Sequence, residues 1–159
     1  MLLHVTGELS VRLLVLTLLA TPLATIFAGR GWPRWLRKRR RWFGVASALY
    51  GLLHLVFYAG FEGLLTDWSS PAIFTGWLAL VAFLPPLVTS TDRAVRSLGP
   101  RWKRVQQLSY AVAVATIAHW VLLDGHVVPA LVHFAPWLGF RVWAWRVKAQ
   151  QGTPTPPAA

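Results

Sequence analysis

Five long apolar segments constrain the fold of this chain of 159 residues more than any other feature. Each approaches the ~20 residues with which a helix crosses a bilayer. Because hydrocarbon offers no partner to an exposed backbone group, segments of this length are expected to cross the membrane as helices. We therefore predict an all-α, polytopic membrane helix bundle with five transmembrane helices, at about residues 9–28, 42–61, 72–88, 105–123 and 127–147.

The distribution of charge predicts how this bundle is oriented. Basic residues are concentrated between segments one and two, between segments three and four, and at the end of segment five, whereas the other two connections contain no Lys or Arg. Since cytoplasmic loops carry the excess of Lys and Arg, we expect the N-terminus outside and the C-terminus in the cytoplasm. The net charge of +11 is then explained by membrane loops, and we expect no nucleic-acid partner.

The two ends of the chain are interpreted separately. Glu8 stands where a signal peptide has basic residues, and a dense basic run follows segment one, so we predict an uncleaved first helix. Residues 151–159 are rich in proline and poor in apolar side chains, which predicts a disordered tail after a single membrane domain of residues 1–150. No internal repeat of fixed period is evident.

Two histidines lie inside apolar segments at matching depths. At the helical rise, His54 is about 18 Å beyond Trp42 and His119 is about 21 Å beyond Val105, the residues near which their helices leave the cytoplasm. An ionisable side chain inside a bilayer is costly and by default marks a functional site. Since two imidazoles facing each other across a helix bundle can hold a haem iron, we predict that His54 and His119 are the metal ligands.

The alternative for each histidine is a buried side chain that bonds to a neighbouring helix. Small and aromatic residues on the same helix faces suit a flat macrocycle, although they also pack any membrane bundle: Ser47, Tyr50, Gly51, Phe57, Tyr58, Phe61, Ala115 and Thr116. The remaining histidines are weaker candidates. We expect His4 to precede the first helix, His126 to lie in a turn, and His133 to lie about two turns into segment five.

Several classes of protein are disfavoured by what the sequence lacks. There is no Cys, which excludes disulfides, iron–sulfur clusters and thiolate ligation. No motif of a soluble enzyme is present, and the five carboxylates lie near segment ends or in connections, so we assign no catalytic residue. Two hypotheses remain, a haem-bearing electron-transfer subunit and a non-haem membrane scaffold or anchor with packed histidines. A quinone headgroup, a flavin phosphate or an acidic partner could dock on the basic loops.

A set of short strings between about residues 21 and 120 is similar to one bacterial family. The strings occur in the family's order and include Thr21-Pro-Leu23, Arg39-Arg-Arg-Trp-Phe-Gly44, Ala48-Leu-Tyr-Gly-Leu-Leu-His-Leu55, Ser70-Pro-Ala-Ile-Phe-Thr-Gly76, Leu98-Gly-Pro-Arg-Trp102 and Ile117-Ala-His-Trp120. In this respect the chain resembles the MsrQ (YedZ) family, the haem-binding membrane subunits of the bacterial methionine sulfoxide reductase system. That family lies in the ferric-reductase-like transmembrane superfamily.

The resemblance implies a function and a set of partners. It implies one haem b held by His54 and His119, which match the family's helix histidines. It also implies electron transfer from a quinol or a cytoplasmic flavin reductase, across the bacterial inner membrane, to a periplasmic molybdopterin-dependent reductase of methionine sulfoxide. Quinone or FMN is a further cofactor of this kind of system, and a ferric reductase-type cytochrome is the alternative function.

Two features depart from the family pattern. Gln106 stands where the family usually has a further histidine near the start of helix four, so we expect one haem per chain rather than two. The family also often carries one more helix at its N-terminus, which we expect to be missing here.

Overall fold

The computed structural model describes residues 2–62, 69–123, 125 and 127–151, which are almost entirely helical. The helices are α1 (Leu2–Ile26), α2 (Gly31–Glu62), α3 (Pro71–Val88), α4 (Asp92–Leu98), α5 (Pro100–Gln106), α6 (Leu108–Leu122) and α7 (Val127–Gln151). Five stretches are long and apolar enough to cross a membrane, namely α1, α2, α3, α5 together with α6, and α7. The predicted all-α architecture with five transmembrane helices is therefore confirmed.

Several helix boundaries differ from the predicted segments. α1 begins at Leu2 rather than near residue 9, and α2 begins at Gly31 rather than near residue 42. The basic run before residue 42 is thus helical and not a loop, because Arg and Lys are good helix formers whose long side chains reach water from a helix end. The fourth segment is divided at Gln107 into α5 and α6. α7 ends at Gln151, and the rest of the predicted tail lies outside the described residues.

Proline and serine residues determine where α3 begins. Ser70 is its N-cap with an extended backbone, and Pro71 occupies the first turn, where its missing N–H is not needed. Pro85 and Pro86 lie in the last turn of this helix. Further prolines lie inside other helices, at Pro22 of α1 and Pro136 of α7.

α1 is the central helix of the bundle. It packs mainly against α2 and α7, while α3 packs mainly against α6. In its most apolar stretch 44% of the residues are buried, against 17–22% in the other four membrane stretches. The core consists of Val11, Leu14, Val15 and Leu18 from α1 with Ala48, Phe83, Val112, Ala113, Phe134 and Trp137 from the helices around it.

Two serines join α1 to α2 at close range. Ser10 Oγ donates to the Ser47 carbonyl oxygen at 2.9 Å, and Ser47 Oγ donates to the Ser10 carbonyl oxygen at 2.7 Å. Both side chains are buried, and Ser47 is fully so. Small polar residues of this kind allow helix backbones to approach closely in a membrane, where each interhelical bond contributes about 0.6 kcal/mol. This contact sets the distance between α1 and α2.

The outer surface of the helices suits lipid. Large apolar side chains such as Val56, Leu78, Val114 and Val128 are at least half exposed along the membrane stretches. In water a surface of this kind would be an aggregation site, whereas acyl chains cover it without cost.

An ion pair links α2 to α4 beyond the membrane stretches. Arg41 Nη1 lies 2.6 Å from Asp92 Oδ1. The hydrogen bond from Arg41, reinforced by the attraction between the two charges, lowers the pKa of Asp92 from its ordinary value. The pair is exposed, so it contributes little to stability, but it fixes which side of α4 faces the basic start of α2.

Candidate functional site

A cavity of about 250 Å³ lies between the helix pair α1–α2 and the helix pair α3–α6. His54 projects into it from α2 and His119 projects into it from α6. The structure thus brings onto one cavity the two histidines that the matching depths single out. The other lining side chains are mainly small or apolar, among them Val11, Gly51, Leu55, Tyr58, Leu80, Phe83 and Thr116.

The imidazole of His54 is held by α1. Its Nδ1 lies 2.8 Å from the carbonyl oxygen of Leu3. The ring also lies against Gly7, where an added Cβ would be only 3.0 Å from Nδ1. His54 is therefore fixed by the first two turns of the neighbouring helix.

The imidazole of His119 is held by α3 in the same way. Its Nδ1 lies 2.7 Å from the carbonyl oxygen of Ala72. The ring lies against Gly76, where an added Cβ would again be 3.0 Å from Nδ1. Both histidines are thus oriented by backbone groups of a partner helix.

These contacts determine which nitrogen of each ring can bind a metal. A carbonyl oxygen only accepts hydrogen bonds, so Nδ1 of His54 and of His119 must carry the proton. In each neutral ring the lone pair is then on Nε2. Two neutral imidazoles with a lone pair on Nε2, each anchored through Nδ1–H to a carbonyl, could hold an iron between them, and the glycines beside the rings leave them room.

His4 is placed differently from the prediction. It lies inside α1 rather than before it, and it lines the edge of the cavity together with Glu8. His4 Nε2 lies 3.4 Å from Glu8 Oε1, and Arg12 Nη2 lies 2.5 Å from Glu8 Oε2. Pairs four residues apart support a helix, which explains why α1 extends through these polar residues. The side chain of His4 is 75% exposed, so it stands at the rim.

His133 is not among the described residues that line the cavity. His133 Nδ1 bonds to the Pro129 carbonyl oxygen of its own helix at 2.8 Å, and its ring stands edge-on to Trp120 at 5.3 Å. Trp120 lines the cavity, so His133 lies behind it. His126 is outside the described residues.

Several predicted neighbours of the histidines take different roles. Gly51, Tyr58 and Thr116 line the cavity, whereas Ser47 is occupied in the contact with Ser10. The side chain of Phe61 is not among the side chains that the structure describes. Lining residues that the sequence did not single out are Gly7, Glu8, Ile73, Gly76, Trp77, Ala79 and Leu80.

Gln106 has a structural role at the end of α5. Its Nε2 donates to the Pro86 carbonyl oxygen and to Thr89 Oγ1, each at 3.1 Å. Trp102 Nε1 donates to the Thr89 carbonyl oxygen at 2.9 Å. α5 therefore adds hydrogen bonds to the carbonyl groups at and just after the end of α3, where intrahelical partners run out.

Comparisons with known proteins identify a family and several relatives. The family model of the ferric reductase like transmembrane component matches residues 6–117. No solved structure matches the chain.

Curated relatives cover nearly the whole chain. The protein-methionine-sulfoxide reductase heme-binding subunit MsrQ of Azospira oryzae is 35% identical over 96% of this chain and 70% of its own length. The protein of the same name from Caulobacter vibrioides is 32% identical over 93% of this chain and 74% of its own length. The protein of the same name from Xanthomonas axonopodis pv. citri is 30% identical over 96% of this chain and 75% of its own length. The chain therefore belongs to the MsrQ family, within the ferric-reductase-like transmembrane proteins.

Proposed function

We propose that this chain is a haem-binding membrane subunit that passes electrons to a methionine sulfoxide reductase partner. The observation that carries the proposal is the pair His54 and His119, which line one cavity and each bond through Nδ1 to a carbonyl of the neighbouring helix. A haem b bound there supplies one-electron redox chemistry. Held by His54 and His119, such a haem would have no open coordination position at its iron and would favour electron passage over oxygen chemistry.

The relatives support this function. Their printed names describe heme-binding subunits of a protein-methionine-sulfoxide reductase. In our proposal the chain has no substrate site of its own, and a periplasmic molybdopterin-dependent reductase carries out the reaction on methionine sulfoxide. The donor is a quinol or a cytoplasmic flavin reductase, with quinone or FMN as its carrier.

The position of the histidines along their helices supports the proposed direction of electron flow. His54 lies near the end of α2 that is remote from its basic start, and His119 lies in the last turn of α6. If the basic ends of the helices face the cytoplasm, as the positive-inside rule indicates, a haem held by these histidines lies nearer the periplasmic surface. It is then well placed to reduce a periplasmic partner.

The function is tested by the fate of electrons on the reduced haem. The experiment uses membranes that contain the chain. The haem is reduced, the oxidised periplasmic reductase is added, and the absorption of the reduced haem at its α band is followed over time. Prompt oxidation by the reductase, with much slower oxidation by ferric chelates, is the expected result. A haem that stays reduced with the reductase but is oxidised promptly by ferric chelates identifies the chain as a ferric reductase-type cytochrome instead.

We expect one haem per chain. Gln106, which stands at the family's additional histidine, is engaged with Pro86 and Thr89. An amide is a poor iron ligand, and the Nε2 group of this one is bonded to the end of α3 rather than to the cavity. A pyridine haemochrome assay on purified protein should give one haem per chain, and a value of two would contradict the prediction.

The C-terminus is expected in the cytoplasm of a bacterium that carries this chain in its inner membrane. A reporter fused after Gln150, in the last turn of α7, should therefore behave as cytoplasmic. A fusion before α1 should give the opposite signal, because five crossings separate the two ends. A periplasmic signal from the fusion after Gln150 would refute this orientation.

A further inference from the structure

The two histidines are held by the same short motif, which occurs once on each helix pair. In α1 the motif is Thr6-Gly7, and in α3 it is Thr75-Gly76. In each case the carbonyl that accepts from the histidine lies four residues before the glycine, at Leu3 and at Ala72. The two copies are thus equivalent in register, although they lie on different helices and hold different histidines.

The threonine of each motif bonds to the same carbonyl as the histidine. Thr6 Oγ1 lies 2.9 Å from the carbonyl oxygens of both Leu3 and Leu2. Thr75 Oγ1 lies 2.8 Å from the carbonyl oxygen of Ala72 and 3.0 Å from that of Pro71. Each hydroxyl thus shares its one proton between two carbonyls, of which one also accepts from the histidine. The same carbonyl oxygen also accepts the intrahelical bond from the N–H four residues later, so the threonine hydroxyl and the imidazole compete for what remains of its two lone pairs. The strength of the histidine bond therefore depends on the hydroxyl beside it.

The glycine of each motif exposes that carbonyl to the neighbouring helix. In an α-helix the Cβ of a residue points toward the N-terminus and lies over the preceding turn, where it would cover the carbonyl four residues earlier. A Cβ on Gly7 would lie 3.0 Å from His54 Nδ1 and 3.1 Å from Cε1, and a Cβ on Gly76 would lie at the same two distances from His119. With any other residue at either position, the imidazole would have to move by a few tenths of an ångström.

The equivalence extends to the walls of the cavity. Residues at matching positions before and after the two glycines line it on both sides, His4 with Ile73 and Glu8 with Trp77. On the histidine helices, Leu55 and Trp120 follow the two histidines and also both line it. The cavity is therefore built from two helix pairs of the same design.

We propose that the Thr–Gly pairs of α1 and α3 are positioning residues that set the orientation and the electron-donating strength of the two iron ligands. The proposal rests on the proposed function, in which His54 and His119 hold the haem. Glycine gives the Nδ1–H bond its short distance, and threonine moderates it. A stronger Nδ1–H bond makes the imidazole a better donor to iron, which stabilises the ferric state and lowers the midpoint potential.

The test uses variants that change this bond in opposite directions. Gly7→Ala and Gly76→Ala push the imidazole away from the carbonyl, so the midpoint potential should rise. Thr6→Val and Thr75→Val remove the competing hydroxyl while nearly keeping the side-chain shape, so the potential should fall. The glycine variants should also release haem to a haem-scavenging globin about 10-fold faster, the lower range for loss of a group that supports a metal ligand.

Two glycines serve as matched controls. A Cβ on Gly44 of α2 would meet Thr17 of α1 at 3.5 Å, an ordinary contact within the same helix pair. A Cβ on Gly139 of α7 would meet nothing within 4 Å among the described residues. Gly44→Ala and Gly139→Ala should keep the wild-type potential, haem release and ferric electron paramagnetic resonance spectrum.

The proposal is supported if the midpoint potential rises in the glycine variants, falls in the threonine variants and stays unchanged in the controls. A merely structural role would not shift the potential in opposite directions in the two kinds of variant. If a glycine variant does not accumulate, the threonine variant on the same helix decides the question. Shifts of the same sign, or potentials that all equal the wild-type value, would overturn the proposal while leaving histidine ligation intact. If His54→Ala and His119→Ala both keep a low-spin haem, the proposed function itself is wrong.

Discussion

Replacing either His54 or His119 by alanine is expected to abolish haem retention or reduce it by more than 100-fold. Loss of a group that only supports a metal ligand costs 10–100-fold in affinity, so loss of the ligand itself should exceed that range. The remaining histidine stays bonded to its carbonyl and cannot complete a bis-histidine site alone. The measurement is the Soret band and the haem content of protein purified at equal yield.

His4→Ala is the matched control for this experiment. His4 lines the same cavity, but it stands at the exposed rim beside Glu8. Its removal should leave haem content and the low-spin spectrum nearly intact, as should His126→Ala. If both single variants, His54→Ala and His119→Ala, retain full haem with an unchanged low-spin spectrum, the pair does not ligate the iron and other residues hold the haem.

Ser47→Leu should cause the largest loss of stability among single substitutions in the α1–α2 contact. Ser47 is fully buried and exchanges two hydrogen bonds with Ser10. A leucine there adds volume to a packed contact, at a cost of about 1–3 kcal/mol. It also removes the bond that Ser47 Oγ donates, worth about 0.6 kcal/mol in a membrane protein. Because α1 also carries the Leu3 carbonyl that holds His54, separation of the helices should weaken haem binding at the same time.

This second prediction is measured by thermal unfolding in detergent together with haem content. Ser97→Leu, the same substitution at an exposed position of α4, is the control and should behave as wild type. Ser47→Ala should be milder than Ser47→Leu, since it removes the hydroxyl without adding volume. Equal unfolding temperatures for Ser47→Leu and Ser97→Leu would mean that the close approach of α1 and α2 does not depend on this contact.

The membrane architecture was predictable from the sequence because each span is a local property. Length and hydropathy alone place five helices in a bilayer, and the five observed stretches match them. The rise per residue of a helix is constant, so the depths of His54 and His119 follow from their distances along the chain. That arithmetic singled out two histidines, and both line the same cavity in the structure.

Other predictions from the sequence were wrong or missing because the features concerned depend on contacts beyond the local apolar pattern. His4 was expected before the first helix, since polar residues interrupt the apolar pattern there, but its pairing with Glu8 lies on a continuous helix. Ser47 was expected to leave room for a macrocycle, but it faces Ser10 of α1 instead. Nothing within α2 alone distinguishes these two roles of a small residue.

The repeated Thr–Gly motif is the clearest case of what only the tertiary structure decided. Two dipeptides that lie far apart in the sequence give no periodic signal, and each glycine alone indicates only a local loss of helix stability. Their common role appears only when α1 packs on α2 and α3 packs on α6, since the bond runs from a histidine on one helix to a carbonyl on another. The sequence by itself thus determined how many helices are long and apolar enough to cross the membrane, and it singled out two histidines inside them. Which backbone groups those imidazoles meet was decided by helix packing, because every residue has a backbone carbonyl and only the packing of two helices brings a donor to a particular one.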